Sequence, residues 1–208
     1  MKKKISVLVA VSLLVLTFCA CGTPSPTETA DKFLTALKTQ DSETLASVYE
    51  GESLDLLDDT EKEENDLLGD DFSDELMDDV SKKILDFDYE LSDEEINEET
   101  ATVKMTINTY NLGSAMSDFM EEYISQAFVK ALSGASEEEI EELANTLFAE
   151  QIEKVEKDYT GTVTLNLTKS DDGWKVNRIE DDSEVLNALL GGLVDSMEKL
   201  SEDFGSDE

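Results

Sequence analysis

A chain of 208 residues with 51 Asp+Glu against 16 Lys+Arg, and a formal net charge of −35, has no basic face with which to displace the counterions of a nucleic acid. The same repulsion opposes anionic lipid head groups and wall polymers. The chain has no histidine, which excludes imidazole-dependent triads and most zinc and copper sites, and its one arginine, Arg178, excludes a paired guanidinium clamp on phosphate.

Lys2, Lys3 and Lys4 precede an apolar run from Ile5 to Phe18, 14 residues long. That is short of the ~20 residues a membrane-spanning helix needs and suits the central region of a signal peptide. The run ends in Leu16-Thr17-Phe18-Cys19-Ala20-Cys21-Gly22, which resembles the lipobox of bacterial lipoproteins. The resemblance implies cleavage after Ala20 and a lipid on Cys21, with Phe18 bulkier than the residue usual three places before the cysteine. Residues 1–20 are then a lipoprotein signal peptide, 21–27 the acylated cysteine and its tether, and 28–208 a single α+β domain. Pro24 and Pro26 stiffen the tether. With Cys19 removed and Cys21 acylated, no thiol remains for a disulfide, a metal or a nucleophile.

In the folded part, Ala30, Phe33, Leu34 and Leu37 are spaced as one helical stripe. Asp41 or Ser42 caps a short second helix carrying Leu45, Val48 and Tyr49. From Glu50 to Glu99 the chain carries 23 acidic and 3 basic residues. Leu54, Leu56, Leu57, Leu67 and Leu68 punctuate that stretch and imply that part of it folds back on the core. Phe72, Leu76, Val80 and Ile84 recur every fourth residue, which predicts a third helix.

The period then changes to two. Phe87, Tyr89 and Leu91 alternate with acids, and Ala101, Val103, Met105 and Ile107 alternate with polar residues. These are two strands joined by a polar turn around Asn97 and paired antiparallel. A helical hairpin follows. Its first helix carries Met116, Phe119, Met120, Tyr123, Ile124, Ala127, Phe128, Ala131 and Leu132 and stops at Ser133-Gly134. Its second opens on a Ser136–Glu139 capping box and lines up Ile140, Leu143, Leu147, Phe148, Ile152 and Val155. Val163, Leu165 and Leu167 form a third strand, Ser170-Asp171-Asp172-Gly173 a turn, and Trp174 and Val176 a fourth strand. One last helix runs from Leu186 through Leu189, Leu190, Leu193, Met197 and Leu200 to Phe204, with Gly191-Gly192 as a close-packing or kink point inside it.

Helices, a strand pair and a hairpin closing on Asp172-Gly173-Trp174-Lys175-Val176 look like the nuclear-transport-factor-2-like (cystatin-like) α+β cone. With the opening Ala30-Asp31-Lys32-Phe33-Leu34-Thr35-Ala36-Leu37-Lys38 and the closing Leu186-Asn187-Ala188-Leu189-Leu190-Gly191-Gly192-Leu193, the chain resembles a group of lipoproteins from Gram-positive, clostridial-type anaerobes. The expected fold is α+β, with N-terminal helices and a four-stranded antiparallel curved sheet. The resemblance implies that the sheet wraps on the helices with a cavity at its wide end; the helical hairpin inserted between strands two and three departs from a minimal cone and caps or fills that mouth. The resemblance carries no activity with it. Enzymes of this fold class place Asp, Tyr or His inside the cone, which here leaves Tyr89 and Tyr110 as catalytic candidates and Trp174 as a pocket wall; each is also an ordinary packing residue for a strand.

The run Asp58, Asp59, Glu61, Glu63, Glu64, Asp66, Asp70 and Asp71 invites a calcium reading, but no segment has alternating oxygen ligands with a glycine at the sixth place. A diffuse surface that condenses divalent cations is expected instead, with no defined metal site and no cofactor. The reading is therefore a lipid-anchored protein on the extracytoplasmic face of the membrane, a non-catalytic module for a protein or small-molecule ligand. The alternatives are a cone enzyme working with carboxylate and tyrosine, or an acidic cation-binding surface protein.

The charge is far beyond the roughly 2–8 of a typical small domain, so self-repulsion destabilises the compact state at low ionic strength. The thermal midpoint is expected to rise gradually with sodium chloride, which screens within about 10 Å at 0.1 M, and at lower concentrations with calcium or magnesium. A salt-insensitive midpoint in scanning calorimetry overturns the repulsion argument, and a sharp one-to-one calcium titration overturns the diffuse surface.

Overall fold

Ser25 opens the helical chain. Its side chain accepts from the Glu28 amide while the Glu28 carboxylate accepts from the Ser25 amide at 2.8 Å, so both ends of a capping box are made. Pro26 takes the first helical position, where a missing N–H costs nothing; it begins helix α1 (Pro26–Thr39) and is not part of a tether. The Thr27 amide and hydroxyl both donate to Glu94 Oε2, at 2.8 and 2.7 Å, and these bonds hold that carboxyl below its usual range. The computed structural model describes residues 24–51 and 72–205. The expected signal peptide, Cys21, the leucines at 54–68, the acidic run at 58–71 and the Phe204 side chain lie outside the described residues.

Asp41 caps α2 (Ser42–Val48) and Ser73 caps α3 (Asp74–Leu85). Four strands follow in part from alternation: β1 (Asp88–Asn97), β2 (Thr100–Thr109), β3 (Tyr159–Ser170) and β4 (Gly173–Val176). They form a curved antiparallel sheet in the order β1-β2-β3-β4. Between β2 and β3 in chain order come α4 (Leu112–Leu132) and α5 (Glu137–Lys154), the latter with the expected Ser136–Glu139 capping box. The polar turn falls at Glu98–Glu99, just past Asn97, with Glu98 in the left-handed region.

The register confirms the predicted strand phase. Val103 stands opposite Leu165, Met105 opposite Val163, and Leu167 opposite Val176. All pack with Phe33, Leu34 and Phe87 in one apolar core beneath α1. The other sheet face is polar: Thr106 lies opposite Thr162 and their hydroxyls share a hydrogen bond of 3.2 Å. β1 is an edge strand, and a bulge between Ser92 and Glu95 with five acidic residues along it keeps another chain from pairing there. At the other edge Tyr49 forms a single parallel bridge to Val176 and its hydroxyl accepts from the Ile179 amide at 2.9 Å.

A second core gathers Leu76, Val80 and Ile84 of α3, Met116 and Phe119 of α4, and Leu143, Leu147, Phe148 and Ile152 of α5. Phe72, Phe119 and Phe148 meet there with ring centroids 4.7 to 6.0 Å apart. In α4 the expected apolar face is only half used. Phe119 is buried, but Ile124, Phe128 and Leu132 are 40, 66 and 74% exposed, even though α5 runs alongside this half of α4 and its Glu139 carbonyl accepts from the Lys130 ammonium at 3.3 Å. Ile140 and Val155 of the α5 stripe are only half-buried.

The predicted single last helix is two: α6 (Glu184–Leu189) and α7 (Leu193–Gly205), broken at Gly191 and Gly192 with φ of 61° and 81°. The break is needed because backbone meets backbone here. The Gly113 amide donates to Gly191 O at 3.0 Å, and a Cβ on Gly113 would stand 2.3 Å from Gly192 O. Buried Asn187 restarts the helix: its side-chain oxygen accepts from the Asp195 amide at 3.1 Å, one of the orphan donors of the first turn of α7.

A Cβ on Gly191 would lie 1.9 Å from Tyr110 O, on backbone that side chains rarely adopt. Gly191→Ala is therefore expected to cost about 3 kcal/mol or more in denaturant unfolding. Gly134→Ala, also at positive φ but facing open space, should cost roughly 1 kcal/mol; equal costs would show that the approach at Gly191 relaxes freely. Burial also raises the hydroxyls of Tyr49 and Tyr159 above the ordinary 10.0, with the charge of Asp195 adding to the effect at Tyr159. Above that pH the unfolded chain loses tyrosine protons that the folded chain keeps, so the stability present below it is lost as pH rises through the folded values. Tyr159→Phe should flatten this alkaline decline in unfolding titrations; an unchanged slope would assign the decline to lysines.

Candidate functional site

The two tyrosines singled out by the sequence are built into separate contacts. Tyr89, on β1, donates to Asp31 Oδ1 at 2.8 Å and shares a 3.1 Å hydrogen bond with the Thr35 hydroxyl, both on α1. Burial holds its hydroxyl above the ordinary value, and the Asp31 carboxylate adds to the effect. These bonds tie the edge strand to α1. Tyr110, just before α4, carries the Lys83 ammonium 4.4 Å from its ring centroid and donates to Asp86 Oδ2 at 3.4 Å. Lys157 bridges Asp86 and Asp88 at 3.0 and 2.9 Å, and holds the Asp88 carboxyl below its usual range. The hydroxyls of Tyr89 and Tyr110 thus have different carboxylate partners and are not brought to one point.

Trp174 belongs to the core beneath α1, and the Lys169 ammonium lies 5.8 Å from its ring centroid. One side of it also lines a groove of about 350 Å³ with Pro24, Thr29, Val48 and Asp172, where the chain enters α1 beside the β3–β4 turn. The inner face of the sheet is filled: Phe33, Phe87, Val103, Met105 and Ile107 have no exposure. Every buried side-chain nitrogen and oxygen among the described residues has a hydrogen-bond partner. Among the described residues, no group of three or more carboxylates or cysteines is placed to hold a metal ion, and no helix is long and apolar enough to cross a membrane.

A larger groove of about 550 Å³ lies along α4 and α5, lined by Asp118, Glu121, Glu122, Ser125, Gln126 and Gln151. The amides of Gln126 and Gln151 both donate to Glu122, at 3.0 and 3.3 Å, which fixes that carboxylate at the groove floor. Among the described residues no lysine or arginine pairs with the three carboxylates. The sequence reading named only the apolar residues of this helix and did not single out its polar face. The available signal was the spacing 118, 121, 122, 125, which puts the polar residues on one helical face.

No protein-family model and no curated protein matches the chain. Among solved structures, it is similar to the crystal structure of YcdA, a candidate lipoprotein from Bacillus subtilis, with 18% sequence identity and a TM-score of 0.40. The match covers 56% of this chain and 38% of YcdA, so the chain spans well under half the length of that protein. A likeness of this size assigns neither fold nor function.

Proposed function

We propose that the protein is a lipid-anchored lipoprotein of the extracytoplasmic membrane face and acts there as a non-catalytic binding module on a nuclear-transport-factor-2-like α+β frame. The observation that carries the anchor is Cys21, preceded by Ala20 at the end of a 14-residue apolar run that follows three lysines. Two acyl chains on one cysteine hold a protein stably where a single chain binds only marginally. Helix α1 begins at Pro26, a few residues beyond Cys21 in sequence, and a lipid on Cys21 would hold the domain close to the membrane. Its charge turns the acidic surface away from anionic head groups.

Three features support binding over chemistry. The inner sheet face, where a cone enzyme holds its substrate, is occupied by apolar side chains. The Tyr89 and Tyr110 hydroxyls are engaged in contacts that join elements of the fold. Two concave surfaces among the described residues are open to solvent, and the larger runs along α4 and α5, the pair of helices between β2 and β3.

In cells fed labelled palmitate, the native protein is expected to take up label and to fractionate with membranes. Cys21→Ser should lose the label and appear in the medium or remain as uncleaved precursor. Normal cleavage of that variant with continued membrane fractionation would overturn the anchor.

A further inference from the structure

We propose that the outward face of α4 binds a basic amphipathic segment of another extracytoplasmic protein, the apolar side of the segment on Phe128, Val129 and Leu132 and its cations on Asp118, Glu121 and Glu122. The proposal rests on the binding-module reading and names its partner class.

The face is continuous. Positions 118, 121, 122, 125, 128, 129 and 132 follow the three- and four-residue spacing of one helical stripe. The stripe changes character along its length: its first half is the carboxylate-lined groove against Gln151, and its second half is apolar. Phe128, Val129 and Leu132 are 66, 65 and 74% exposed, and Ile124 beside them is 40% exposed. Such side chains clustered at one place mark an interaction surface, whereas singly scattered ones do not. The cluster also sits in the segment from Tyr123 to Ser136, which has no acidic residue and one lysine in a chain with 51 Asp+Glu.

Charge complementarity chooses the occupant. A segment that matches both halves must present an apolar stripe continuous with lysines or arginines, the recognition pattern of an amphipathic helix in a groove. A second copy of this chain does not match. A two-fold pairing along the full stripe sets Phe128 and Leu132 against carboxylates, and one confined to the apolar end buries too little for a stable interface, which needs about 1,000 Å². A net charge of −35 opposes both pairings and also opposes anionic lipid.

The test uses the full mature chain carrying Cys21→Ser and three fluorescent helical peptides of equal length: leucine–lysine amphipathic, serine–lysine and leucine–glutamate. Anisotropy titrations are expected to show binding of the leucine–lysine peptide alone, weakening as salt rises. Phe128→Ser combined with Leu132→Ser should weaken it at least tenfold, and both side chains are exposed, so the fold is kept. Asp118→Asn combined with Glu121→Gln should reduce the affinity several-fold and flatten its salt dependence. Equal binding of the serine–lysine peptide, or undiminished binding by the serine double variant, overturns the proposal in favour of diffuse attraction. Concentration-dependent dimers in sedimentation that vanish in the serine double variant overturn it in favour of a second copy. Binding to phosphatidylcholine vesicles that depends on Phe128 and Leu132 overturns it in favour of a lipid surface. Each of these leaves the anchored-module reading standing, since that reading falls on the fractionation of Cys21→Ser instead.

Discussion

The two cores of this protein are held in register by one backbone contact, where Gly191 and Gly192 meet the chain from Tyr110 to Gly113. α6 is the wall between the cores. Ala188 and Leu189 pack toward the sheet, while Leu186 and Leu190 pack toward the helices. This six-residue helix is buried from Leu186 to Leu189 and exposes only its start at Glu184, so its position sets that of its neighbours. The chain must then leave α6, pass within hydrogen-bond distance of the first turn of α4 and start α7. Only residues without a Cβ allow that approach. Asn187 completes the junction by accepting an amide of α7 with its side chain and the Gly192 amide with its carbonyl.

Against this packing stands an excess of negative charge that contributes nothing to the core. Among the described residues the acids are kept where water solvates them: along the edge strand β1, in the first turns of helices, and on the outer faces of α3 and α5. Several do local work there. Glu28 and Glu139 complete capping boxes, Asp41 caps α2, and Glu94 holds the start of α1. The central strands β2 and β3 carry no acid at all. Their outward side chains are threonine, asparagine and lysine, which suit a pleated surface and place no like charges opposite each other.

α4 shows how one sequence pattern serves two ends. Its first half is apolar toward the other helices, and its stripe of Leu112, Met116 and Phe119 is buried. Its second half still has α5 alongside, yet Phe128, Val129 and Leu132 are left in water. Exposure of Phe128, Val129 and Leu132 lowers solubility without a gain in folding stability, and the cost is offset only if the surface is covered in function.

The sequence by itself determined the elements, because alternation and helical spacing report which side of each segment faces apolar surroundings. Val103, Met105, Leu165 and Leu167 point inward as read, the Ser136–Glu139 cap closes as read, and Gly173 takes positive φ. Local signals of this kind need only neighbours along the chain. Gly191-Gly192 was legible as a close-packing or kink point, but its complete division of one helix into two was not, since an apolar period continues across it; only the approach of Tyr110, some eighty residues earlier, requires the break. The split use of α4 was hidden for the same reason. Periodicity shows that a helix carries apolar residues but not which of them its neighbours cover, and burial is decided by that packing. The carboxylate groove arises where α4 and α5 lie side by side, which brings Gln151 to Glu122 across a turn that the spacing within either helix does not encode.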